Sequence, residues 1–141
     1  METGLREFNS PKSLLAYIDA QLTDLRKKLG ELLRLIEDLR AKSEQDKKLR
    51  SLIMSLVGGE AKVAQPGETV IKLDRITIMI NPSAETELHT MEELAEYINS
   101  KISRLQAIRK DVEKLAEADV EAKILAVLYD GIPKSLIIRT S

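Results

Sequence analysis

The sequence predicts an α+β fold: a long N-terminal coiled-coil (leucine-zipper) helix, then a small antiparallel sheet packed by helices. Three observations predict it. Apolar residues recur at 3,4 spacing through the first third of the chain, β-branched residues alternate between 70 and 80, and a second helical stripe runs on from residue 91. The expected division is 1–57 as the zipper and oligomerisation helix and 58–141 as a small α/β binding domain.

The first helix opens at Ser10-Pro11, an N-cap followed by proline at the first helical position. Leu15, Leu22, Leu29 and Ile36 occupy position a of a heptad, and Ile18, Leu25, Leu32 and Leu39 occupy d. A 3.5-residue period keeps such a stripe facing one partner along the whole helix. Leu14, Leu33 and Leu35 widen it, which favours a homotetramer, with a dimer next. The alternative is that the stripe folds back on the 91–115 helix of the same chain. The seam fails at Ser43 and Asp46, resumes at Leu49, Leu52, Ile53 and Leu56, and stops at Gly58-Gly59.

Pro66-Gly67 mark the change of architecture. Val70–Leu73 and Ile76–Ile80 read as two strands turning near Asp74-Arg75, with Ile76, Ile78 and Ile80 on a well-buried face. Pro82 ends the second strand. Thr90 and Glu93 form a capping box for a helix reaching about Ala116, with Met91, Leu94, Ile98, Ile102, Leu105, Ile108, Val112 and Leu115 on its apolar face. A short helix over about 120–129 and a closing strand at LIIRT complete the chain.

Composition narrows function. The chain has 141 residues, 32% charged, with no cysteine, no tryptophan and one histidine. That excludes a disulfide framework, a thiolate metal site and a cysteine nucleophile, and it points to a reducing, cytoplasmic setting. High charge with few amides fits a thermophilic source. No run is long enough to span a bilayer, and METGLREFNSPK lacks a signal-peptide core. His89 stands in a polar connector and the carboxylates read as helix-dipole partners, so neither an enzyme nor a metal or other cofactor is expected.

Charge is local rather than global. Net charge is −1, yet 40–50 and 101–114 each hold five basic residues against two acidic ones. Lys62, Lys72, Arg75, Lys134 and Arg139 add to these around the sheet, and Lys101, Arg104 and Arg109 come from the second stretch. Lys101 and Arg109 lie on or beside the apolar face of their helix, where a merely solvating charge is misplaced. The eight residues are the candidate nucleic-acid contacts, acting on phosphates because Phe8, Tyr17, Tyr97 and Tyr129 are scattered.

The zipper arm, the strand pair in ETVIKLDRITIMINP, the TMEELAEYINSKISRLQAIRK helix and the closing strand together resemble the archaeal ThermoDBP-related single-stranded DNA-binding proteins. The resemblance is one of layout and covers most of the chain. It implies binding of single-stranded nucleic acid, DNA or RNA, in basic, partly apolar clefts built with neighbouring subunits. A prefoldin-like chaperone subunit, also helix–hairpin–helix, and an oligomeric scaffold with a protein partner are the alternatives.

Overall fold

The computed structural model describes residues 2–56, 68–118 and 121–139. In chain order these form β1 (Gly4–Phe8), α1 (Pro11–Leu56), β2 (Thr69–Lys72), β3 (Thr77–Ile80), α2 (Ala84–Glu117), β4 (Lys123–Tyr129) and β5 (Ile132–Arg139). The class is α+β as expected, two long helices with small antiparallel sheets against them. Gly58-Gly59, Pro66-Gly67 and Lys62 lie outside the described residues. The chain divides into two compact units, Met1–Leu29 with Tyr97–Ser141, and Gly30–Glu96. Each helix contributes to both, so the contacts do not follow the expected division at 57/58.

In the first unit β4 is the centre of a three-stranded sheet ordered β1-β4-β5. β1 joins it antiparallel with Gly4 opposite Leu128 and Phe8 opposite Ile124. Residues 123–129 are a strand, not the short helix expected there. Their burial alternates, with Ile124, Ala126 and Leu128 inward, and strands on both sides satisfy the backbone. The β4–β5 connection is Asp130-Gly131, both with positive φ (52° and 77°), which is the two-residue turn that suits the sheet's twist. Tyr17 on α1 donates to the carbonyl of Gly131 at 3.0 Å and packs its ring on Phe8 at 5.4 Å. Burial raises the Tyr17 phenol above its ordinary pKa.

Helix α1 begins as predicted: Ser10 Oγ accepts from the Ser13 amide at 3.2 Å. Ile18, Leu22 and Leu25 in the first unit, and Leu32, Ile36 and Leu39 in the second, are buried within the single chain. Leu15 and Leu29 are half-buried. Each buried aliphatic side chain stabilises the fold by roughly 1.5–3 kcal/mol. The seam expected to join subunits therefore serves the chain's own core, as the intramolecular alternative requires. A partner helix reaches it only by displacing that cover. Ser43 does not interrupt α1; it is buried and continues the stripe.

The second unit holds the β2–β3 hairpin, whose turn is at Asp74-Arg75 with the Leu73 amide donating to the Ile76 carbonyl at 2.9 Å. Its burial is the reverse of the expected one. Met79 is half-buried and receives a contact from the Thr90 hydroxyl at 3.6 Å, so Met79 turns inward, while Val70 across from it is 43% exposed. Ile71, Leu73, Ile76, Ile78 and Ile80 share the opposite face and are 39–63% exposed.

Helix α2 starts at Ala84, before the expected box. Ser83 Oγ accepts from the Thr86 amide at 3.1 Å, and the Glu68 carboxylate accepts from the Ser83 amide and the Thr86 hydroxyl at 3.2 and 2.6 Å. These hydrogen bonds, the one from Thr86 foremost, hold the Glu68 carboxyl below the usual range. Thr90 is inside the helix, with its hydroxyl donating to the Thr86 carbonyl at 3.2 Å, so it cannot be the cap. His89 accordingly lies on the exposed surface of a helix and not in a connector.

Candidate nucleic-acid interface

The first unit's sheet presents one open face. Along β4 the outward residues are Lys123, Leu125, Val127 and Tyr129, alternating with the buried set. On the same face β1 places Leu5 opposite Val127 and Glu7 opposite Leu125; β5 places Ser135 opposite Val127, Ile137 opposite Leu125 and Arg139 opposite Lys123. A shallow depression of about 310 Å³ is lined there by Glu7, Lys123, Leu125, Ile137 and Arg139. Its floor is aliphatic and its rim carries two cations against one carboxylate, with Glu7 4.0 Å from Lys123.

Between Val127 and Leu128 the β4–β5 pairing slips, leaving Lys134 as the extra residue of a bulge. Its Nζ lies 5.3 Å from the centroid of the Tyr129 ring, which is 53% exposed. An exposed ring with an ammonium beside it offers stacking area for a base and a charge for the adjoining phosphate. On α2 a second exposed ring, Tyr97, has the Lys101 Nζ 5.8 Å from its centroid.

The sequence-predicted basic residues divide between the units. Lys134 and Arg139 belong to the open face just described, while Lys72 and Arg75 are exposed on the hairpin of the second unit. Arg104 is exposed on α2 in the first unit. Lys101 is 4% exposed among the apolar residues of α2, so it is not the surface contact expected. Burial pushes its ammonium below the ordinary lysine pKa; Asp130 opposes that shift, and Arg104 and Lys28 add to it.

Arg109 is held in an ion pair. Its Nε meets Asp19 Oδ1 at 2.5 Å and its Nη2 meets Oδ2 at 3.3 Å, while Nη1 bonds to Glu113. The hydrogen bond from Arg109 holds the Asp19 carboxyl below its ordinary range, and in turn raises the guanidinium's own pKa. A two-pronged pair of this kind positions helices. It does not present an uncompensated charge to a phosphate. Of the 40–50 stretch, Arg40 lies 3.8 Å from Glu92.

Sequence reasoning missed that Lys123 and the Tyr129 ring share this open face, because 120–129 read as a helix. The Asp130-Gly131 pair between apolar runs was the available signal for a hairpin. Among the described residues no group of three or more His, Cys, Asp or Glu could hold a metal ion, and no described helix is long and apolar enough to cross a membrane. Comparison with sequence-family profiles, curated proteins and solved structures found no match.

Proposed function

We propose that the chain is a non-catalytic cytoplasmic protein that binds single-stranded nucleic acid, DNA or RNA, on the open face of the β1-β4-β5 sheet. The observation that carries this reading is the exposed Tyr129 ring with Lys134 at 5.3 Å, on a face that also holds Leu125, Val127, Ile137, Lys123 and Arg139. A single strand can lay a base on such a ring and its phosphates beside the cations, whereas a duplex keeps its bases stacked on each other. The layout resemblance to ThermoDBP-related proteins supports the same class of ligand.

The test is fluorescence anisotropy of a labelled oligothymidylate against the intact protein at two or more salt concentrations. Binding should weaken steeply as salt rises. Lack of binding at low ionic strength, or a preference for duplex over single strand, overturns the proposal. Stacking on one aromatic ring is worth roughly 1–3 kcal/mol per base, so Tyr129→Ala should weaken binding about 5- to 150-fold. The chaperone or scaffold reading draws on the exposed aliphatic hairpin face; it predicts suppression of client aggregation with little dependence on salt.

A further inference from the structure

The hairpin of the second unit leaves its larger aliphatic face in solvent. Ile71, Leu73, Ile76, Ile78 and Ile80 face solvent together, and Thr69 is the polar residue sharing their face. A contiguous aliphatic patch of this kind, with no ionisable side chain on it among the described residues, marks a contact surface. It offers nothing to neutralise a phosphate. Lipid is also a poor occupant, because among the described residues β2 and β3 pair only with each other, and hydrocarbon cannot satisfy the backbone groups of an outer edge. Among the described residues no third strand joins the hairpin.

The alternation of the ladder says which strand fits. Leu73 donates to Ile76, so residues 69, 71 and 73 point their amides and carbonyls toward β3. Residues 68, 70 and 72 therefore direct theirs to the outer edge of β2. If that edge meets the same edge of a second copy antiparallel, with the twofold axis at Val70, the outward-pointing groups coincide: Val70 faces Val70, and Glu68, whose Oε1 takes the Ser83 and Thr86 bonds, faces Lys72 at both ends with its second carboxylate oxygen. The hydrogen-bonding alternation and the charges agree in that one register, and opposite charges directly across a strand pair are favourable. Shifting by one residue loses both matches.

We propose that β2 is a self-association edge. Two copies of this chain join through it around a twofold axis at Val70, making a four-stranded sheet with the order β3-β2-β2-β3 and one continuous aliphatic face. This replaces the zipper seam as the route to an assembly, and it is independent of whether the other unit binds nucleic acid. The contact is isologous, so the particle holds an even number of copies: two from edge pairing alone, four where the joined faces also stack.

The chain has no cysteine, which makes a single-cysteine probe clean. Paired residues of adjacent antiparallel strands have Cα atoms about 5.5 Å apart, within reach of a disulfide. Val70→Cys in the full chain, under mild oxidation, should convert largely to a covalent dimer, whereas Glu31→Cys on the exposed surface of α1 should not. Light scattering of the unmodified protein should give an even multiple of the chain mass, reduced to one chain by Val70→Pro, which removes the outward amide of β2, with helical circular dichroism unchanged. A single-chain mass for the unmodified protein at tens of micromolar overturns the proposal. So does equal cross-linking of the two cysteine variants.

Discussion

Lys134 Nζ sits 5.3 Å from the centre of the Tyr129 ring, across a bulge that displaces the lysine from regular pairing. Under the proposed function the two groups divide the work of holding a single strand, and their removal should have different signatures. Lys134→Gln should flatten the logarithmic salt dependence of oligonucleotide binding by about one phosphate contact, near 0.7 in slope. Tyr129→Ala should lower affinity with the slope unchanged. Equal slopes for both variants would detach Lys134 from the phosphates.

Asp19 and Arg109 tie α1 to α2 within the first unit. The Asp19 carboxyl is held below its unfolded value, so the pair's contribution is fully present above the ordinary aspartate pKa and is lost as pH falls through the depressed one. Both side chains are partly exposed, and the effect on stability is small. The difference in Tm between wild type and Asp19→Asn should therefore be a few degrees at neutral pH and shrink toward zero in acid. A difference that grows on acidification refutes this assignment.

Capping of α2 separates two serine/threonine positions. Ser83→Ala removes the cap and should cost about 0.5–2 kcal/mol in urea unfolding. Thr90→Ala, inside the helix with its hydroxyl bonded back to Thr86, should be close to neutral. The opposite order would restore the capping box at Thr90.

Gly131 has φ of +77° in the β4–β5 turn, a conformation that costs an ordinary residue about 1–2 kcal/mol. Gly131→Ala should destabilise by that amount, while Asp130→Asn should be tolerated because asparagine accepts a positive φ. Thermal unfolding of the two variants side by side checks it.

Leu25 lies in the seam and is 2% exposed in the single chain. Leu25→Ala should cost about 2–5 kcal/mol, and its Tm deficit should not change with protein concentration. A deficit that disappears on dilution would mean the seam is shared between chains after all.

Much of the fold was legible because long periodic stripes dominate local noise. The 3,4 stripe of α1, the 98–112 face of α2 and the hairpin turn at Asp74-Arg75 all occur where pattern alone puts them. Where the reading failed, a tertiary partner decided. Residues 124–128 are apolar throughout and carry no period until β1 and β5 flank them, so Asp130-Gly131 was the better guide than the run itself. The isoleucine alternation of β3 correctly marked a strand with an apolar face. Pattern identifies such a face without saying what covers it, and here Met79, not Ile78, turns toward α2.

The candidate site was less legible. Lys134 and Arg139 were identified from charge alone, but their platform depends on a strand read as a helix. Lys101 and Arg109 were singled out for standing on an apolar face, and that misplacement has a structural cause: one is buried and the other is locked to Asp19.

The pairing of Gly4 with Leu128 also has a temporal meaning. During synthesis at about 5–20 residues per second, β1 waits roughly 6–25 s before its partner leaves the ribosome. Residues 30–96 are contiguous and meet no such delay, so the hairpin unit is complete while the first unit still lacks the centre of its sheet. The order of emergence is therefore inside-out: every residue of the hairpin unit is synthesised before the centre of the first unit's sheet.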